Sequence, residues 1–220
     1  MVWLLRASVA VNAVLGLALA RGLRRRVLIR AGKLRAAEHD FAAVAKQAFA
    51  PSEPGCVALV GDSQVALAPW LETLTSYRNR GLSGAKIADV EAWIDGVLAD
   101  TPAHLVLFVG SNDVYFGVPR AESLAAAGRL FDRIAQGAQC PVSVVSVPPL
   151  PGDKRAARAL NTGLAELAAE HGFAWVDIGP TLAAMEWTED GIHLNPAAYR
   201  AVAPLLAAAL ETPGKQAKGY

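Results

Sequence analysis

Between residues 56 and 210, short apolar runs alternate with stretches of helical periodicity, and this alternation constrains the fold more than any other feature of the chain. Cys56–Val60, Leu105–Val109, Val142–Val147 and Ala174–Ile178 read as strands. Their runs contain little polar alternation, the pattern of strands covered on both faces. Helices are expected over 86–99, 121–137, 154–171 and 196–210, and Tyr77–Arg80 is a more polar candidate for a further strand. Strand and helix in strict succession imply a parallel sheet with helices on both sides.

The N-terminal part has a different character. Residues 2–20 are apolar apart from Arg6, Ser8 and Asn12, and Arg-Gly-Leu-Arg-Arg-Arg follows at 21–26. Eight of the 21 basic residues fall within residues 1–37, which hold no acid, so the other 13 face all 20 acidic residues at a net −7. A basic arm on an acidic body suits a membrane surface, and no nucleic-acid-binding signature accompanies it. Roughly 20 apolar residues span a bilayer. A cleaved signal peptide carries its basic cluster before the apolar run rather than after it. The expectation is therefore a hydrophobic membrane anchor with a basic flank over 1–26, an amphipathic helix or stalk over 27–50, a folded domain over 51–212 and a tail over 213–220. Four arginines after the apolar run favour a cytoplasmic domain by the positive-inside rule, although an acid-free N-terminus also fits a transit peptide. Cys56 and Cys140 each adjoin an apolar run and read as half-buried free thiols.

Ligands of open parallel sheets sit beyond the carboxyl ends of the strands. Four polar clusters fall there: Gly61-Asp62-Ser63-Gln64, Asn79-Arg80-Gly81-Leu82-Ser83-Gly84, Gly110-Ser111-Asn112-Asp113 and Asp190-Gly191-Ile192-His193. A serine on a tight turn after a buried strand can present its hydroxyl to the cleft, although a lone Gly-Asp-Ser more often supplies a helix cap. Val65 stands where a Gly-x-Ser-x-Gly elbow needs its last glycine. Asp190, three residues before His193, can accept from Nδ1–H and leave Nε2 free to take a proton from Ser63. Asn195-Pro196 supplies a helix start immediately behind the base. Acyl transfer also needs oxyanion donors, worth about 2.7–4 kcal/mol each; Gly81 offers a backbone N–H and Asn112 a side-chain amide. His39, His104 and His171 have no such partner nearby in sequence and read as surface or helix-end residues.

Taken in order, Gly61-Asp62-Ser63, Asn79-x-Gly81-x-x-Gly84, Gly110-x-Asn112-Asp113 and Asp190-x-x-His193 resemble the four blocks of the SGNH (GDSL-type) hydrolases. Gln64 stands where the eponymous motif has leucine. The resemblance covers about residues 56–210. It implies a flavodoxin-like three-layer α/β/α sandwich, here preceded by an N-terminal hydrophobic helix, and a cofactor-free esterase or lipase. It makes Ser63 the nucleophile, His193 the base, Asp190 its orienting carboxylate, and Ser63, Gly81 and Asn112 the oxyanion donors. The expected substrate is a small-molecule or lipid ester, with neither metal nor nucleic acid. Two other readings use the same residues: a membrane-bound O-acyltransferase with a sugar or lipid acceptor, and a non-catalytic membrane-tethered module, for which a complete set of catalytic groups would be superfluous. Tyr115, Phe116 and Trp187 flank the motifs and either line an acyl pocket or simply pack.

Overall fold

The computed structural model describes residues 40–50, 53–69 and 77–211. The expected hydrophobic helix of residues 1–26, most of the stalk, His39 and the tail 213–220 lie outside them. Among the described residues no helix is long and apolar enough to cross a membrane.

Five parallel strands form one sheet: β1 (Val57–Gly61), β2 (Tyr77–Gly81), β3 (His104–Phe108), β4 (Val142–Val145) and β5 (Ala174–Val176), in the order β2-β1-β3-β4-β5. This is the doubly wound, flavodoxin-like order, whose chain reverses direction across the sheet between β1 and β3. β1 and β3 hold the centre, with Leu59, Val60, Leu105 and Leu107 fully buried. Such burial is worth about 1.5–3 kcal/mol for each large apolar side chain, so the continuous apolar runs become the middle of the sheet. β2 lies at the edge, which is why Tyr77-Arg-Asn-Arg-Gly can be so polar.

The helices are α1 (Phe41–Ala48), α2 (Ser63–Ala66), α3 (Ile87–Val90), α4 (Ile94–Ala99), α5 (Ser111–Phe116), α6 (Arg120–Gly137), α7 (Lys154–Glu170), α8 (Gly179–Ala183) and α9 (Pro196–Glu211). α3, α4, α6 and α7 pack side by side, while α9 packs on α8 and β5. Right-handed crossovers place the helices of the successive β2-to-β5 connections on one face and α2, which opens the β1-to-β2 connection, on the other with α9. The helix expected over 86–99 is broken. Lys86 N–H donates to Asp89 Oδ2 at 2.8 Å to start α3, and Trp93 turns inward so that its indole N–H reaches Arg80 O at 3.2 Å. The single-turn helices α2, α5 and α8 follow strand ends and had no periodicity to reveal them.

Part of the segment read as an amphipathic helix or stalk is helical and packs against the domain. Asp40 caps α1 through Ala43 N–H at 3.1 Å, Ala45 is buried, and the Phe41 and Trp93 rings lie 6.0 Å apart. Arg80, itself buried, donates to Ala50 O at 2.8 Å and bridges Asp100 at 3.1 Å, with Phe49 stacked 5.1 Å from its guanidinium carbon. The compact unit accordingly begins at Asp40.

Candidate active site

Strand register brings three of the four polar clusters together. Gly61 pairs with Gly81 on one side and with Phe108 on the other, so the segments after β2, β1 and β3 leave the sheet side by side. Glycine is required at 61 because a Cβ would lie 2.0 Å from Phe108 O.

Asp62, rather than Ser63, caps α2: its Oδ1 accepts from Gln64 N–H at 2.8 Å. Ser63 is thereby the first helical residue, and its hydroxyl is free to donate to His193 Nε2 at 2.8 Å. His193 Nδ1–H donates in turn to Asp190 Oδ2 at 2.5 Å. Asp190 Oδ1 receives Ile192 N–H at 2.9 Å and His193 N–H at 2.8 Å, so one carboxylate sets both the loop and the imidazole tautomer. Partial burial opposes ionisation of Asp190, but the imidazole and these two amides outweigh it and hold the carboxyl well below its usual range. The loop is closed at its base by Asn195 N–H to Trp187 O at 2.8 Å, and Asn195 Oδ1 caps α9 through Ala198 N–H at 2.9 Å.

Asn112 is buried and gives one amide hydrogen to Ala85 O at 2.9 Å, leaving the other for a ligand oxygen. Gly81 does not behave as expected. Its N–H donates to Asn79 Oδ1 at 3.0 Å, and a Cβ there would meet Ala66 N at 2.5 Å and Asp62 O at 2.8 Å. It is a close-packing glycine behind the serine turn. Asn79 completes that junction by donating to Val65 O at 2.9 Å. Gly84, three residues on, differs: φ is +87°, the space beside its Cα is open, and its N–H meets no acceptor among the described residues. The sequence held the signal, a second glycine three residues on, but could not show which N–H was already engaged.

Two acids lie beneath the serine turn. Asp62 is 1% exposed, its Oδ2 has no well-formed partner, and the Ser111 hydroxyl offsets only part of that cost. Burial, helped by the charge of Asp113, pushes its carboxyl up to about 7. Asp113 accepts from Ile87 N–H at 2.9 Å and is raised by burial as well.

The other histidines divide. His104 is not at the surface: it is 5% exposed at the start of β3, shares a 2.9 Å hydrogen bond with Ser143 Oγ, and burial pushes its imidazole down. His171 ends α7 as expected but does have a carboxylate partner, Asp132, at 2.9 Å. Trp187 is buried in the core, whereas Tyr115 and Phe116 make an edge-on pair, 5.2 Å between centroids, with Tyr115 exposed. Cys56 and Cys140 are not joined in a disulfide, and the first is buried and the second partly so. A cavity of about 670 Å³ beyond β4 and β5 is lined by residues including Val147, Asn161, Trp175 and Trp187, and by none of Ser63, Asp190 and His193. Among the described residues no group of three or more His, Cys, Asp or Glu side chains is arranged to hold a metal ion.

A parallel sheet of this order, with a serine, a histidine and a carboxylate linked in series at the carboxyl ends of its strands, defines the protein as an α/β esterase or lipase of the SGNH kind. The chain belongs to the GDSL-like Lipase/Acylhydrolase family, whose sequence profile matches residues 55–201. The fold is similar to that of Axe2, an acetylxylan esterase from Geobacillus stearothermophilus (17% identity, TM-score 0.61, covering 74% of this chain and 97% of that one). It is also similar to a member of the lipolytic protein G-D-S-L family from Veillonella parvula DSM 2008 (18% identity, TM-score 0.60, 69% and 96% covered). LAE5, an alpha/beta hydrolase enzyme from the metagenome of Lake Arreo, Spain, shares it too (19% identity, TM-score 0.59, 73% and 97% covered). No curated protein sequence matches the chain.

Proposed function

We propose that the protein hydrolyses carboxylic esters of short acyl groups, O-acetyl or lipid esters among them, through an acyl-enzyme on Ser63. The observation that carries this reading is the unbroken series Asp190 Oδ2, His193 Nδ1, His193 Nε2 and Ser63 Oγ, at 2.5 and 2.8 Å. Ser63 Oγ attacks the carbonyl carbon as its proton passes to Nε2, and the carbonyl oxygen becomes an oxyanion. Ser63 N–H, the second Asn112 amide hydrogen and Gly84 N–H are the donors for that charge, with Gly84 replacing Gly81 in the set. Collapse expels the alcohol with the proton from Nε2. Water, deprotonated by His193, then cleaves the acyl-enzyme to the acid. The ionised Asp190 stabilises the imidazolium in both halves. An open mouth supports a short acyl group: His193 is half-buried, Asp190 exposed, and the exposed Tyr115 edge follows Asn112 on α5.

The test is turnover on an ester panel of graded acyl length with Ser63→Ala as control. Ester hydrolysis is expected to vanish in the variant with its melting temperature nearly unchanged, and a fluorophosphonate should label wild type at Ser63. Undiminished turnover by Ser63→Ala refutes the assignment.

A further inference from the structure

The residue that departs from the family motif is the one that joins the two halves of the site. Gln64 is buried at 1% exposure, and its side-chain amide grips the backbone on both sides of the base. Nε2 donates to Ile192 O at 2.5 Å, and Oε1 accepts Leu194 N–H at 3.2 Å. These are the carbonyl immediately before His193 and the amide immediately after it, so one planar group fixes both peptide units that carry the imidazole. The glutamine is held from the other side as well. Tyr199 Oη–H, from α9, donates to Gln64 O at 2.9 Å, and burial together with the charges of Asp62 and Asp190 keeps that phenol protonated far above its ordinary range. Gln64 N–H is meanwhile bound to Asp62.

We infer that Gln64 is a positioning residue that sets the approach of His193 to Ser63, by locking the 192–194 backbone to the residue covalently next to the nucleophile. This rests on the reading of Ser63 and His193 as nucleophile and base. Ser63 and His193 are 130 positions apart and touch through a single side-chain hydrogen bond, which must break and re-form during turnover. A bond that is consumed in each cycle cannot also hold the partners in register, whereas the Gln64 contacts take no part in proton transfer and persist throughout. Leucine at this position would fill the space but offer neither a donor to Ile192 O nor an acceptor to Leu194 N–H. A chain with leucine must fix its histidine loop by other means; this chain does so with an amide.

The test uses Gln64→Met, which keeps length and volume, and Gln64→Leu, which restores the motif residue, both in the full-length protein. Misplacing a catalytic group by about 1 Å lowers rate on the order of 100-fold. Both variants are expected to lose about 10- to 100-fold in kcat with KM within about twofold, and to react correspondingly more slowly with a fluorophosphonate at Ser63. The downfield proton resonance of the His193 Nδ1–H to Asp190 bond should broaden or shift at temperatures where the variants remain folded. Gln64→Glu at neutral pH keeps the acceptor and loses the donor, and should fall between wild type and Gln64→Met. If either folded variant retains wild-type kcat and an unchanged resonance, the inference is overturned, whatever its melting temperature. If neither Met nor Leu folds, Gln64→Glu decides alone, and wild-type kcat there overturns the donor half of the clamp. Should Ser63→Ala itself remain active, the underlying assignment fails instead, and the two failures are thereby distinguished.

Discussion

Replacing Asp62 with asparagine should make the protein more stable as pH rises, and the profile follows from the buried carboxyl. In the unfolded chain this group titrates near its ordinary 3.8, while in the fold burial, with Asp113 beside it, moves it to about 7. A raised acid supports the folded state only while protonated. Its contribution is complete below 3.8 and is lost as pH climbs to about 7, because over that interval the unfolded chain has released a proton that the folded chain still holds. The slope is about 1.4 kcal/mol per pH unit and the total about 4 kcal/mol, levelling off above pH 7. Asparagine retains the Oδ1 acceptor for Gln64 N–H and is neutral throughout. The stability of Asp62→Asn minus that of wild type should therefore climb with that slope from about pH 5 to 7 and plateau beyond. Asp113 is common to both proteins and drops out apart from its coupling to Asp62. Urea denaturation midpoints at half-unit steps from about pH 5 to 8.5, with matched m-values, measure the difference directly. Parallel pH profiles, or a difference that shrinks as pH rises, would show instead that Asp62 is ionised in the fold at acidic pH.

Asp190→Asn and Asn112→Ala are expected to lower kcat far more than they raise KM, about 100- to 1,000-fold for the oxyanion amide, because both interactions strengthen only as charge develops; steady-state kinetics that place the loss in KM would contradict the assigned roles. Gly81→Ala should destabilise the domain, since its Cβ would fall 2.5 Å from Ala66 N, and a thermal melt within about 1 °C of wild type would show that the serine turn yields easily. Residues 1–26 are proposed to hold the full chain at a membrane, where it should stay in the pellet after a high-salt wash; uncleaved protein in the supernatant would rule the anchor out. A shortened form should begin at Asp40 rather than at residue 51, the domain start expected from sequence, because Ala45 and Phe49 pack on the domain.

The central strands and long helices could be read from sequence because burial leaves its mark residue by residue. Leu105–Phe108 is apolar without interruption, Val142–Val145 is broken only by Ser143, and α6 and α7 keep their periodicity over several turns. β2 was barely legible because an edge strand has one solvated side and no need of apolar residues there. Chemistry marks sequence differently. Ser63, Asn112, Asp190 and His193 stood out because each follows a strand or precedes a helix in a short polar cluster. What the sequence could not carry were the long-range partners. Asn79 folding back onto Gly81 N–H separates Gly81 from Gly84, Ser143 on the neighbouring strand accounts for a buried His104, and Gln64 meets Ile192 and Leu194 across 128 and 130 positions. Trp93 broke a helix whose apolar spacing was intact, since the indole satisfied a carbonyl on β2.

The attachment of the base loop to α9 has a temporal consequence. Synthesis on the ribosome proceeds from the amino end, so Ser63 emerges with the first strand while His193 and Tyr199 follow only after the last one. A nascent chain whose sheet is already complete through β5 thus carries a serine hydroxyl with no base within reach, chemically no more reactive than any other alcohol. On the proposed reading, competence to cleave esters arrives only when the closing helix docks and Tyr199 meets Gln64. In refolding, recovered turnover should lag the recovery of sheet signal, because these contacts span the whole domain and loop closure over such distances is slow. On the proposed reading the site is therefore dormant in every partly assembled chain.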